Sequence, residues 1–147
     1  MLRFVHQTRF AASVEAVFAF HERDDILSLL LPPWQKGRVI SRTGGLQVGA
    51  RVEFRLWIGP VPVTWIAVHT AYEHNRLFVD EQEKGPFAYW RHQHIFEPDG
   101  DGCILRDEID YSVPLGLDPL VGWLIERDLR RMFKFRHEVT ARAVVVT

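Results

Sequence analysis

The chain has 147 residues, 47% of them hydrophobic and 12% aromatic, with a formal net charge of −1 and one cysteine. Such a length and apolar content describe one domain, residues 1–147, that buries a core without staples, and they exclude a disordered chain. The absence of a basic surplus argues against a nucleic-acid partner, and a lone cysteine excludes an intrachain disulfide.

Leu2 to Phe10 alternates in polarity and predicts a first strand. It has no continuous apolar run of the signal-peptide kind, and no window approaches the length of a membrane span, so a cytoplasmic protein without stable membrane insertion is expected. Ser13 is placed to cap a short helix with Val14, Val17, Phe18 and Phe20 on its apolar side. A second short helix carries Ile26, Leu27, Leu29, Leu30 and Leu31, and Pro32-Pro33 stop it. Strands are predicted over 34–42, 50–58, 61–72, 76–83, 87–96 and 103–113. The turns between them fall at Thr43-Gly44-Gly45, Gly59-Pro60, His74-Asn75, Lys84-Gly85-Pro86 and Asp99-Gly100-Asp101-Gly102. Strands joined by short turns predict an antiparallel meander. Cys103 opens the last strand and reads as a small core residue.

From Asp118 the apolar period becomes 3.6. Asp118 reads as a cap and Pro119 as the first helical residue. Leu120, Val121, Leu124, Ile125, Leu129, Met132, Phe133, Phe135 and Val139 predict a final helix. Its expected length is about 20–25 residues. The basic residues there, Arg127, Arg130, Arg131, Lys134, Arg136 and Arg142, are interrupted by Glu126, Asp128 and Glu138 and read as a solvated face. A helix with so broad an apolar stripe needs a large surface to cover, and a curved sheet is the one available. The fold class is therefore α+β.

Residues two apart on a strand share a face. Trp90, His92, His94 and Phe96 share one; so do Phe78, Asp80 and Gln82, and so do Leu105, Asp107, Ile109, Tyr111 and Val113. The bulky apolar members make these the inner faces. That turns Asp80, Gln82, His92, His94 and Asp107 inward on strands expected to be neighbours. Buried groups of this kind need partners. They form a His–Asp structural network, line a ligand pocket, or do both. A third reading is catalysis, with His92 or His94 backed by Asp107 or Asp80 as a general acid/base pair. A fourth is a metal: His92-x-His94 can present two imidazoles to one ion, with His69 or a carboxylate as third ligand. With no cysteine cluster and no clear third ligand, the sequence by itself assigns no metal, and it implies no cofactor.

The order of elements is strand, two short helices, six strands and one long helix. Together with Pro32-Pro33-Trp34, the string from Phe78, Asp80 and Gln82 through Gly85-Pro86-Phe87 to Trp90, His92, His94 and Phe96, then Leu105, Asp107, Ile109, Tyr111 and Val113-Pro114, then Leu129, Met132, Phe133 and Arg136, it resembles the START-like (SRPBCC) superfamily, in a bacterial cyclase/dehydrase-like branch. The resemblance implies the helix-grip fold, a curved antiparallel sheet of about seven strands around a long C-terminal helix. It also implies an interior cavity for a small hydrophobic molecule such as a lipid, an isoprenoid or a polyketide. The expected ligand-binding residues are Phe78, Asp80, Gln82, Trp90, His92, His94, Asp107, Tyr111, Met132 and Arg136. Leu30, Leu31 and Trp34 are candidates for an apolar gate, and Trp57 for the cover of a hairpin tip.

No nucleophile motif is present, so a binding protein is expected before an enzyme; an enzyme would be a cyclase or dehydratase. An accessory protein with a filled core, dimeric through a sheet edge or the helix, is the third class kept open.

Overall fold

The computed structural model describes residues 1–145. β1 (Leu2–Phe10) leads to α1 (Val14–His21) and α2 (Ile26–Leu30). Six strands follow: β2 (Gly37–Thr43), β3 (Arg51–Ile58), β4 (Val61–Glu73), β5 (Leu77–Lys84), β6 (Tyr89–Asp99) and β7 (Gly102–Ser112). A 3-10 turn at Pro114–Gly116 precedes α3 (Asp118–Val145). The strands form one antiparallel sheet in the order β1-β7-β6-β5-β4-β3-β2. β1 closes it by pairing with β7, which sets His6 opposite Asp107. Register breaks between Val39 and Ser41, Ile66 and Ala67, and His69 and Ala71 add bulges that bend the sheet around α3. This is the helix-grip fold.

Local chemistry fixes the elements. The Ser13 hydroxyl accepts the Ala16 amide proton at 3.1 Å and caps α1, whose Val17 and Phe18 are fully buried. Asn75 takes a left-handed conformation (φ 61°) in the β4–β5 turn, where a short amide side chain tolerates it. Gly122 lets α3 approach β1, because a Cβ there would stand 3.0 Å from Leu2 Cδ1.

Several boundaries differ from the expectation. β2 starts at Gly37, not Trp34. Trp34 sits in the turn after the proline pair, edge-on to Phe135 and beneath the Arg131 guanidinium. α3 has 28 residues and begins at Asp118, so Leu117 occupies the cap position and its carbonyl takes the Leu120 and Val121 amides. Asp118 instead accepts the Val113 amide at 2.7 Å and meets the Met1 amino group at 3.2 Å, tying the start of α3 to β7 and β1. The apolar stripe is shorter than expected: Leu129 and Phe133 are buried, while Leu120 is 69% and Leu124 37% exposed. Trp57 is half-buried, with the Lys36 ammonium 4.6 Å above its ring. Cys103 is in the core, as expected.

Two apolar clusters fill the space between sheet and helices. One gathers Phe10, Val17, Phe18, Phe96 and Leu105 beneath α1 and the end of α3. The other gathers Phe4, Trp65, Trp90, Tyr111, Leu129 and Phe133 beneath the first half of α3. Each fully buried large side chain contributes about 1.5–3 kcal/mol. Among the described residues, no helix is long and apolar enough to cross a membrane.

Candidate functional site

Pairing in the sheet fixes the centre of the site. His94 lies opposite both Phe78 on β5 and Asp107 on β7, and Asp80 lies opposite His92. The period of two then sends Asp80, His92, His94 and Asp107 to the concave face, as the sequence predicts. His92 Nε2 donates to Asp107 Oδ1 at 2.7 Å. His94 Nε2 donates to Asp80 Oδ2 at 2.9 Å, and its Nδ1 stands 3.2 Å from Asp107 Oδ1. The two imidazoles stack with 3.6 Å between centroids, and Phe78 stacks on the other side of His94 at 3.9 Å.

α3 adds a member that apolar periodicity misses. His137 Nε2 donates to Asp107 Oδ2 at 2.6 Å, and the Thr8 hydroxyl lies 2.7 Å from His137 Nδ1. Since Nε2 must carry the proton it gives to a carboxylate, a neutral His137 ring accepts from Thr8 through Nδ1. His137 stands four residues after Phe133 and Thr140 three beyond that. Both continue the buried face of α3 with polar side chains.

The electrostatics follow from the contacts. Burial alone would raise the Asp107 carboxyl; hydrogen bonds from His137, His92 and His94 overcome it and hold the pKa well below the usual range. Asp80 is likewise opposed by burial yet held down to about 2, chiefly by the His94 hydrogen bond. Burial works against a charged His94, but the two carboxylates outweigh it and raise its pKa. Both His94 nitrogens face carboxylates, so the imidazolium form suits its surroundings. His92 goes the other way: burial and the neighbouring His94 lower it, more than Asp107 raises it.

Arg136 reaches the same interior. Its Nε is buried without a hydrogen-bond partner among the described residues, its guanidinium carbon lies 5.1 Å from the Phe133 ring centre, and desolvation lowers its pKa. Beside it is a cavity of about 20 Å³, lined among others by His21, Leu30, His94, Asp107 and His137. That is room for one water. This cavity is therefore far smaller than the ligand-sized one that the resemblance implies. A wider groove of about 270 Å³ lies outside α3 along β1, beside His6, Thr8, Lys134 and Glu138, and His137 borders both spaces.

The other expected ligand-binding residues are dispersed. Trp90, Tyr111 and Met132 belong to the apolar cluster beneath the first half of α3. Gln82 is engaged at the β5–β6 turn, its amide donating to the Phe87 carbonyl at 2.8 Å and accepting the Phe87 amide at 3.1 Å. His69 is held by the Leu46 carbonyl at 3.0 Å and stacks on Phe78, which stands between it and His94.

Residues 10–135 match the family described as polyketide cyclase/dehydrase and lipid transport. The chain belongs to that family. Solved structures share the cyclase/dehydrase-family fold at low sequence identity. TTHA0849 from Thermus thermophilus is 16% identical, with a TM-score of 0.76 over 98% of this chain and 97% of that one. Norcoclaurine synthase from Thalictrum flavum is 17% identical, with a TM-score of 0.76 over 99% of this chain and 87% of that one. A structure of that synthase in complex with dopamine and hydroxybenzaldehyde superposes with a TM-score of 0.75 at 17% identity, over 98% of this chain and 86% of that one. No functionally curated protein matches the chain in sequence. At such identity these likenesses concern the fold, and the chemistry of this cyclase/dehydrase-family domain is argued from its own residues.

Proposed function

We propose that this domain binds a small, largely apolar molecule beneath α3 and holds its polar group with Arg136, His94 and Asp107. The observation that carries the proposal is the buried, unpartnered Nε of Arg136 beside a small cavity into which His94, Asp107 and His137 converge. An apolar enclosure with a few convergent polar groups is the usual way to orient a small molecule. The family description includes lipid transport, and the norcoclaurine synthase of the same fold holds small aromatic molecules.

Admission requires side chains to move, and α2 is the element that yields most readily. It has five residues, no side-chain cap, and only Ile26 fully buried. Leu30 lines the cavity, and Leu31 and Trp34 follow it in the chain, with Trp34 43% exposed. Displacing one leucine costs about 1.5–3 kcal/mol. Burying an aromatic ring of roughly 150–250 Å² at about 25 cal/mol per Å² returns ~4–6 kcal/mol.

Native mass spectrometry of freshly purified protein, with organic extraction of the carried mass, tests this. A reproducible bound lipid, isoprenoid or aromatic compound is the expected result. A clean ligand-free mass, unchanged after incubation with a broad apolar library, would overturn it. A second reading, cyclase or dehydratase chemistry on the bound molecule, is favoured by one observation. Adjacent His92 and His94 have pKa values driven in opposite directions, which suits one base and one acid. Turnover of the extracted compound, abolished in His92→Gln and His94→Gln, is its test.

A further inference from the structure

Asp80, His92 and His94 each offer one ligand atom, all within 4.8 Å of one another, on the paired strands β5 and β6. We propose that these three side chains form a binding site for one divalent first-row transition-metal ion, of the zinc, cobalt or nickel kind, with Asp107 orienting both imidazoles. The site goes beyond the ligand-binding proposal and does not depend on it.

Three features of the geometry point to an ion. The first is spacing. Ligand atoms about 2.1 Å from a tetrahedral ion stand about 3.4 Å apart. The His94 Nε2–Asp80 Oδ2 separation of 2.9 Å and the His92 Nδ1–Asp80 Oδ2 separation of 4.0 Å bracket that value. The rings are stacked, with 28° between their planes, and binding requires each to turn about its Cβ–Cγ bond to bring its lone pair onto the ion. The proton now between His94 and Asp80 leaves to solvent as the ion takes its place.

The second feature is the outer partner. Metal-bound imidazoles characteristically give their other N–H to a carboxylate, which fixes the tautomer and the ring direction. Here one oxygen serves both rings: Asp107 Oδ1 lies 2.7 Å from His92 Nε2 and 3.2 Å from His94 Nδ1. Its other oxygen is anchored by His137 at 2.6 Å. The nitrogens turned away from Asp107 are the two that face Asp80.

The third is charge. Two carboxylates share this interior, and among the described residues Arg136 forms an ion pair with neither. A divalent ion with two neutral imidazoles offsets the charges of Asp80 and Asp107, and the Arg136 guanidinium adds one positive charge beside them. Two nitrogens and one oxygen favour zinc, cobalt or nickel over calcium or magnesium, which prefer all-oxygen shells. Three protein donors leave a coordination position open to water or to a ligand oxygen.

The experiment uses the full chain after chelator treatment, titrated with Co2+ and followed by visible d–d absorption. One equivalent of tetra- or pentacoordinate Co2+, displaced by Zn2+, is expected. Asp80→Asn and His92→Gln are each expected to weaken binding at least tenfold, the scale seen on losing even outer-shell partners. His69→Gln should leave binding unchanged. Circular dichroism establishes that each variant is folded. X-ray absorption of the Zn2+-loaded wild-type protein gives a test independent of the variants, and two imidazoles per ion are expected. No stoichiometric spectrum would overturn the proposal. So would affinity unaltered in folded Asp80→Asn and His92→Gln, or an absorption spectrum without two imidazoles, because the ion would then be adventitious or elsewhere.

Discussion

Replacing Asp107 by Asn keeps the side chain's size and removes one acceptor oxygen. In the native protein Oδ2 takes the His137 proton at 2.6 Å and Oδ1 takes the His92 proton at 2.7 Å. An amide offers one oxygen, so one imidazole N–H meets an NH2 group in a dry interior. A hydrogen bond to a charged group is worth about 1.5–3 kcal/mol, and the stranded donor adds its desolvation. The negative charge facing His94 also disappears, which brings the expected loss to about 3–5 kcal/mol, the range for breaking a buried ion pair. Asp80→Asn is the comparison: it disturbs one direct bond, at 2.9 Å, on a side chain that keeps 16% of its surface exposed. Its expected cost is about 1–2 kcal/mol. Urea unfolding followed by tryptophan fluorescence measures both. The reasoning fails if Asp107→Asn stays within about 1 kcal/mol of wild type, or if Asp80→Asn costs more.

His21 gives a pH dependence with a definite sign. Its ring is enclosed by Phe20, Phe78 and Phe96, and burial lowers its pKa from 6.5 to about 4 against the opposing Val17 carbonyl. Between those values the unfolded chain binds a proton that the folded chain refuses. Stability therefore falls as pH drops from 6.5 to 4, by about 1.4 kcal/mol per unit for this one group. His6, His69 and His92 are lowered too and steepen the fall, while the contribution of His94, which is raised, is constant in this window and is lost only as pH rises above 6.5. Urea titrations at several pH values check the direction, and His21→Gln should flatten the slope by about one proton; stability that holds or rises on acidification contradicts the assignment. Cys103 is 0% exposed and desolvation raises its thiol to about 11, so thiol reagents at mildly alkaline pH should label it only on unfolding. Stoichiometric labelling of the native protein within minutes would contradict that burial.

Much of the site was legible because strand periodicity is local. Once Trp90 and Phe96 assign the inner face of β6, His92 and His94 must share it, and Leu105 and Ile109 do the same for Asp107. The family resemblance added the curved sheet around one long helix. His137 was not legible, because a stripe counted in apolar residues ends where the buried face turns polar. Its partner Thr8 lies 129 residues away. The early exposure of Leu120 and Leu124 was hidden for the opposite reason: they keep the helical period, yet their side chains stay in solvent. Asp118 has the chemistry of a cap, yet the neighbouring Val113 amide and Met1 amino group claim its carboxylate.

The elements, their order and the inward set Asp80, His92, His94 and Asp107 are readable from local pattern, since periods of 2.0 and 3.6 residues and turn chemistry act over short stretches of chain. How those groups divide into donors and acceptors, that His137 and Thr8 complete the array, that Arg136 keeps a nitrogen without a hydrogen bond among the described residues, and that the cavity beside it has room for one water molecule all came from the folded arrangement. Those outcomes depend on strand register and on where a 28-residue helix comes to rest across the sheet, and no local pattern encodes either.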